Sequence, residues 1–462
     1  MAHTRNTRLA AALREVGWSQ EQTAQHFARA AREAGAVELT GATRSHIAQW
    51  VRGVQPSGQA PRILCETLSR GLGRVVTPAE LGLTTGESTG QQGPWSTDPL
   101  RALVDIGGKD LDMERRRILA GTAYSVAALT LPDAAWWEQA PQQARERRPL
   151  TPRTADAADV DSVREMAAFF SRRDQRRGGA DGRAALVAYL RTDIATYLSG
   201  RFTTEQVRRE MFTAGGEMAY LAGWTAFDAS EHGLAQQYFA LALRLAAEAD
   251  DAPLAGHILR AMAHQAVDLH HTNAAVDLAD ASLQQGRYAQ AGPREKALLG
   301  VVHARALAVA GRKDDALAAC LRAEDDLSNA RAGDDEPGRV WFFAEASLAH
   351  ETACTLRDLG DLAAAEREFR RSVRTRRRQT FARTHSVTLG YLGAVQASQG
   401  SLEAACATWH QALDAMGGIH SGRARETVVQ MRRSLSPFRR RGGDSAATAL
   451  DARARAALSR VG

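Results

Sequence analysis

The sequence predicts an all-α protein, a small N-terminal helical bundle followed by a long array of paired helices, and three observations carry that prediction. The composition is 44% hydrophobic but only 6% aromatic, with alanine and arginine conspicuous, which favours helix over sheet. Apolar residues recur at helical spacing through most of the 462 residues, as amphipathic helices require. From about residue 210, small residues also recur at a longer, nearly constant interval, the mark of stacked helix pairs. A chain of this length exceeds what one core usually supports, so two or three domains are expected.

Residues 1–83 read as several short helices closed by the turn-like segments GVQPSGQAP and GRVVTPAELG. Ser19, with Gln22 three residues on, sets up a capping box for one helix. Thr43 caps another, TRSHIAQWVRG, which ends at Gly53, a residue suited to left-handed geometry. Ile47 and Trp50 share a face and should pack inward on Phe27 and Ala24. Arg44, Ser45, His46 and Gln49 occupy the opposite face. Up to Leu83, ten arginines stand against six glutamates, an excess of 10 − 6 = +4. With a net charge of +6 for the whole chain, that balance suits a polyanionic partner.

Residues 84–155 read as a linker. TTGESTGQQGPWSTDP is flexible by composition, and APQQARERRPLTPR is a second polar, proline-containing stretch. Between them an apolar helix is expected at about 113–131, preceded by Arg115, Arg116 and Arg117. That order resembles a twin-arginine export signal, but it lies more than a hundred residues from the start. Its apolar stretch is also shorter than the roughly 20 residues a spanning helix needs, so a buried or docking helix is expected. The segment MAHTRNTRLAAALREVGWSQ lacks the apolar core of a signal peptide. Cys65, Cys320, Cys354 and Cys406 show no metal or redox spacing. A cytoplasmic location without membrane association follows as the expectation.

Residues 156–437 form the array. Ala235, Ala275, Ala316, Ala365 and Ala405 are separated by 40, 41, 49 and 40 positions. Four residues after these anchors stand Phe239, Ala279, Cys320, Phe369 and Trp409, and seven after stand Ala242, Ser282, Ala323, Ser372 and Ala412. Twelve before them are Gly223, Ala263, Ala304, Ala353 and Gly393, small as close helix crossing demands. Gly311, Gly360 and Gly400 each precede an anchor by five. Residues 438–462, beginning near Arg439, Arg440 and Arg441, read as a basic junction and C-terminal tail.

In Thr43, Ile47, Trp50, Arg52 and Gly53 the helix TRSHIAQWVRG resembles the recognition helix of XRE-type (lambda-repressor/Cro-like) helix-turn-helix regulators. Two departures are Val51, where that family often has glutamate, and the long connection AREAGAVELTGA. The repeats over roughly 210–415 resemble tetratricopeptide repeats, with a period longer than the ideal 34. The order of parts is similar to that of actinobacterial regulators of development and secondary metabolism, and of bacterial regulators whose array binds a short peptide.

The resemblance implies an N-terminal helix-turn-helix bundle followed by an α-solenoid of tetratricopeptide-like helix pairs, with double-stranded DNA as partner. It places the start of the recognition helix at base edges in the major groove. Arginine bonds guanine, and glutamine adenine, through two contacts each, so Arg44 and Gln49 are the expected readers. Thr43 is counted among the DNA-binding residues, Ser45 and His46 are weaker candidates, and Arg52 is expected on phosphate. A homodimer is expected, because such modules dock on paired half-sites, as is a peptide, small-molecule or protein ligand in the repeat groove. The alternative is a scaffold or anti-activator whose N-terminal domain is only an interaction module.

His257, His264 and His271 recur every seven residues, about 10 Å apart along a helix axis. That is too far to share one ion, so they are expected to pack between helices. The arginines at 370, 371, 374, 376, 377, 378 and 383 are expected on a solvated face answered by Glu366 and Glu368. No phosphate loop, HExxH helix or GxSxG turn is present, so neither catalysis, nor a metal, nor a cofactor is expected.

Overall fold

The computed structural model describes residues 4–83, 95, 97–112, 124–331, 333–440 and 445–459. Among them the fold is all-α, apart from a two-residue parallel pairing of Thr154–Ala155 with Arg201–Phe202.

The N-terminal bundle contains α1 (Thr7–Glu15), α2 (Gln20–Glu33), α3 (Arg44–Val51) and α4 (Ala60–Leu72). Both halves of the capping box are made: the Ser19 N–H donates to Gln22 Oε1 at 2.8 Å and the Gln22 N–H to Ser19 Oγ at 3.2 Å. Leu9, Phe27, Ile47, Ile63 and Leu68 form the core. Leu81 and Leu83 close its open end, where the Asn6 amide donates to the Leu81 carbonyl at 2.9 Å.

Much of the segment expected as a linker is folded and packed against the array where it is described. α5 (Pro99–Leu111) starts with proline after the Asp98 cap, the favoured order at a helix start. Its Leu100, Leu103 and Ile106 enter the main core. Asp110 fixes it there, accepting from Arg183 at 2.8 Å and from the Tyr238 hydroxyl at 2.9 Å. α6 (Ala134–Glu146) precedes Arg147, which pairs with Glu248 at 2.6 Å. Arg115 to Arg117 and most of the expected apolar helix lie outside the described residues. The remainder, Tyr124–Leu131, is extended chain with one 3-10 turn at Val126–Leu129 rather than α-helix.

α7 (Ala157–Arg177), α8 (Arg183–Tyr189) and α9 (Ala195–Leu198), the last two joined by a π-turn at Leu190–Ile194, lead into the array. Its successive helices are α10 (Glu205–Asp228), α11 (His232–Glu248), α12 (Ala252–Asp268) and α13 (Thr272–Leu283). A single turn, α14 (Gly286–Ala289), precedes α15 (Pro293–Val309) and α16 (Lys313–Ser328). Then come α17 (Glu345–Asp358), α18 (Leu362–Thr375), α19 (Ala382–Ser398) and α20 (Leu402–Ala415).

Each alanine anchor lies on the second helix of a pair and is 0% exposed. Five residues before each anchor the backbone turns left-handed, at Ser230 (φ 65°), His270 (63°), Gly311 (73°), Gly360 (84°) and Gly400 (83°). The register is therefore the same in all five pairs, including the second, where Ala279 replaces a large residue. Opposite Phe239 and Trp409 the crossing positions are glycine, since an added Cβ would lie 2.7 Å from Phe239 and 2.4 Å from Trp409.

The segment read as a junction and tail supplies the second helix of a sixth pair. α21 (Gly422–Arg440) packs against α22 (Ser445–Leu458), whose Leu450 and Ala454 are 0% exposed. The alanine-rich stretch lacks charge runs but carries Ala447, Leu450, Ala454 and Ala457 on one face, enough to dock a final helix.

The array curls until its ends meet. Arg383, at the start of α19, reaches Asp174 at 3.0 Å near the end of α7 and Asp228 at 3.1 Å at the end of α10. The Ser421 hydroxyl donates to Asp228 at 3.0 Å and the His420 N–H to the Arg177 carbonyl at 2.6 Å.

Candidate nucleic-acid interface and enclosed pocket

α3 divides as its sequence requires. Ile47 is 0% and Trp50 7% exposed, and the Trp50 ring meets Phe27 edge-on with centroids 5.2 Å apart. Thr43, Arg44, Ser45, His46, Gln49 and Arg52 are all exposed. At the helix start the Thr43 N–H donates to His46 Nδ1 at 3.1 Å, with the Thr43 hydroxyl 3.0 Å from the same nitrogen. A backbone amide can only donate, so Nδ1 is the acceptor and Nε2–H is left as the ring's donor. His46 is thus held by the cap, while Arg44, Ser45 and Gln49 project without such ties. Gly53, at φ 105°, ends the helix.

The surrounding charge is uneven. Glu15 and Glu80 pair with Arg74, and Glu33 and Glu66 with Arg70. Exposed Arg5, Arg14, Arg29, Arg44, Arg52 and Arg62 have no acidic partner among the described residues.

α4 couples the bundle to the array. Glu66, 5% exposed, accepts from His271 Nε2 at 2.6 Å, from Arg70 Nε at 2.9 Å and from the Val126 N–H at 3.3 Å. Burial works to raise the Glu66 carboxyl, but the His271 bond and the Arg70 charge outweigh it and hold the group below its usual range. The Tyr124 ring stacks on His271 at 5.4 Å and the Asn273 amide donates to the Gly73 carbonyl at 2.8 Å.

The inner faces of α10, α12, α15, α17, α19 and α21 surround a small pocket of about 60 Å³ that opens in part to solvent. The interval of 49 between Ala316 and Ala365 accommodates one wall. The extra residues fold inward through a 3-10 turn at Gly338–Val340, with Val340 buried and Phe342 and Phe343 lining the pocket. Arg339 anchors that loop on Glu295 at 2.7 Å and Glu217 at 3.0 Å.

Arg260, Arg376, Arg383 and Arg423 reach the pocket, with His264 and His350. Burial, then the nearby Arg305, pushes His264 down to about 3, so it is neutral. The arginine run therefore divides. Arg370 pairs with Glu366 at 2.7 Å and Arg371 with Glu368 at 3.5 Å on the outer face. Arg376 and Arg383, expected there too, are buried. A local signal existed, because Ala365, Phe369, Ser372 and Arg376 follow the i, i+4, i+7, i+11 stripe that faces inward.

The three spaced histidines go to separate partners: His257 to Glu295 at 3.1 Å, His264 to Arg305 at 3.0 Å and His271 to Glu66. No metal-binding group of His, Cys, Asp and Glu occurs among the described residues, and none of their helices is long and apolar enough to cross a membrane.

A sequence-family model described as the SP15 N-terminal domain matches residues 9–84, the span of the N-terminal bundle. No match was found among curated proteins or among solved structures.

Proposed function

We propose that the protein is a sequence-specific DNA-binding transcriptional regulator, with α3 as its recognition helix and the array as the receptor of a gating ligand. The observation that carries this reading is the division of α3, whose apolar residues are buried while Arg44, Ser45, Gln49 and Arg52 stand exposed amid arginines without acidic partners among the described residues. Phosphate contacts need such uncompensated cations, and base readout needs such free amide and guanidinium groups. The Glu66–His271 junction supports gating, because it ties the bundle to a turn of the array. A homodimer is part of the proposal, since one small module seldom gives enough affinity alone.

The test is selection of genomic fragments by the full chain, followed by a mobility-shift titration over a range of salt. Sequence-selective binding that weakens steeply with salt is expected, with loss in the Arg44→Ala, Gln49→Ala double variant. Absence of any DNA preference would favour the scaffold alternative.

A further inference from the structure

Buried arginines are ordinarily retained beside carboxylates, because an isolated guanidinium loses its hydration without compensation. Among the four arginines that reach the pocket and the neighbouring Arg305, that rule accounts for three. Arg305 faces Glu351 at 3.0 Å and Asp268 at 3.3 Å, Arg383 has Asp174 and Asp228, and Arg423 reaches Asp268 at 3.5 Å.

Arg260 and Arg376 have no carboxylate partner among the described residues, although they are only 2% and 6% exposed. Each leaves its Nε without a hydrogen-bond partner. Arg260 donates through Nη2 to the Tyr220 hydroxyl at 2.9 Å and to His257 Nε2 at 3.0 Å, and lies over the Trp224 ring at 5.7 Å. The carboxylate beyond His257, Glu295, is already committed to Arg339. Arg376 donates only to neutral groups, the Ala346 carbonyl at 2.8 Å and the Ser372 hydroxyl at 3.1 Å. Burial, then neighbouring Arg383, pulls it down to about 10, which leaves it charged at neutral pH. The remaining walls include Trp224, Leu298, Phe342, Phe343 and Val387.

We propose that this pocket binds a small organic oxyanion, a carboxylate or phosphate carried on an apolar body, with Arg260 and Arg376 supplying the counter-charge. In naming the ligand class of the gate, the proposal rests on the regulator reading above. The connection to that reading is α12, which carries Arg260 and ends beside His271, the residue that bonds Glu66 of the DNA-binding bundle.

The test uses the full chain and phenyl phosphate as probe, with benzoate as the carboxylate arm, inorganic phosphate as an anion without a body and benzyl alcohol as a body without charge. Calorimetry and Trp fluorescence should show one site for phenyl phosphate or benzoate, the better of the two identifying the oxyanion. Inorganic phosphate and benzyl alcohol should bind at least about tenfold more weakly, as loss of one charge-assisted contact or of the apolar burial implies.

Arg260→Met and Arg376→Met should each lose about tenfold or more in probe affinity yet melt no lower than the parent without probe. Removing Arg376 leaves the Ala346 carbonyl satisfied, since the Ser372 hydroxyl donates to it at 2.6 Å. Ser347→Phe, at the part-exposed mouth, should block binding with both arginines intact. Equal binding of benzyl alcohol, unchanged affinity in both arginine variants, or no binding by either organic anion would overturn the proposal. The Arg44→Ala, Gln49→Ala variant should retain probe binding, so failure of the DNA reading is told apart from failure of this one.

Discussion

Arg44 and Gln49 are exposed side chains on a helix whose fold rests on Ile47 and Trp50, so binding and folding separate cleanly by substitution. Arg44→Ala and Gln49→Ala should each weaken specific DNA binding by about 1–3 kcal/mol, measured by anisotropy, with the melting temperature unchanged. Trp50→Ala should instead loosen the bundle, since truncating a buried aromatic costs roughly 3–5 kcal/mol. A bundle transition at the parent's temperature would refute that. This division was legible in the sequence because a cap, a 3.6-residue period and a terminal glycine are all local signals. The inward turn of Arg376 was harder to read, because its charge points outward by composition while its register points inward.

Buried histidines also set a pH dependence. Burial, then Arg260, pushes His257 from 6.5 down to about 4, and burial likewise takes His232 down to about 4. The unfolded chain therefore takes up protons that the folded chain refuses as pH falls from 6.5 to about 4. Stability is full above that window and is lost through it, on the order of 3 kcal/mol per histidine. Melting temperatures that stay level between neutral pH and pH 5 would contradict this.

Among the elements, the contact between α4 and the turn after α12 joins residues 205 positions apart. No local pattern announces such a pairing, and the spaced histidines gave only a periodicity without a partner. Glu66→Ala removes the acceptor shared by His271, Arg70 and the Val126 amide, and breaking a buried pair in this way should cost on the order of 3 kcal/mol. Hydrogen exchange should quicken at residues 124–129 and 271–273 before the array itself opens. Protection unchanged in those segments would show that the bundle is held by its apolar contacts alone. The repeat anchors were readable for the opposite reason, since each depends only on its own hairpin. The wall formed by residues 338–344 was visible in the sequence merely as an overlong interval, because length alone does not say which way a loop folds.

For the whole molecule, the proposed dimer gives a direct expectation. Sedimentation of the full chain at micromolar concentration should yield twice the 49.9 kDa chain mass, and a monomer that binds a half-site as tightly as a whole site would exclude it. The meeting of α7 and α10 with α19 and α21 has a different consequence. A row of units that each touch only their neighbours frays from its two free ends. Bent until first touches last, the row acquires a periodic boundary and loses the places where fraying begins. Arg383→Gln should restore those ends and broaden the thermal transition, with the van't Hoff enthalpy falling below the calorimetric one. Closure then fixes how many hairpins lie between its two contact points: one more or fewer between α10 and α19 would leave Arg383 facing neither aspartate.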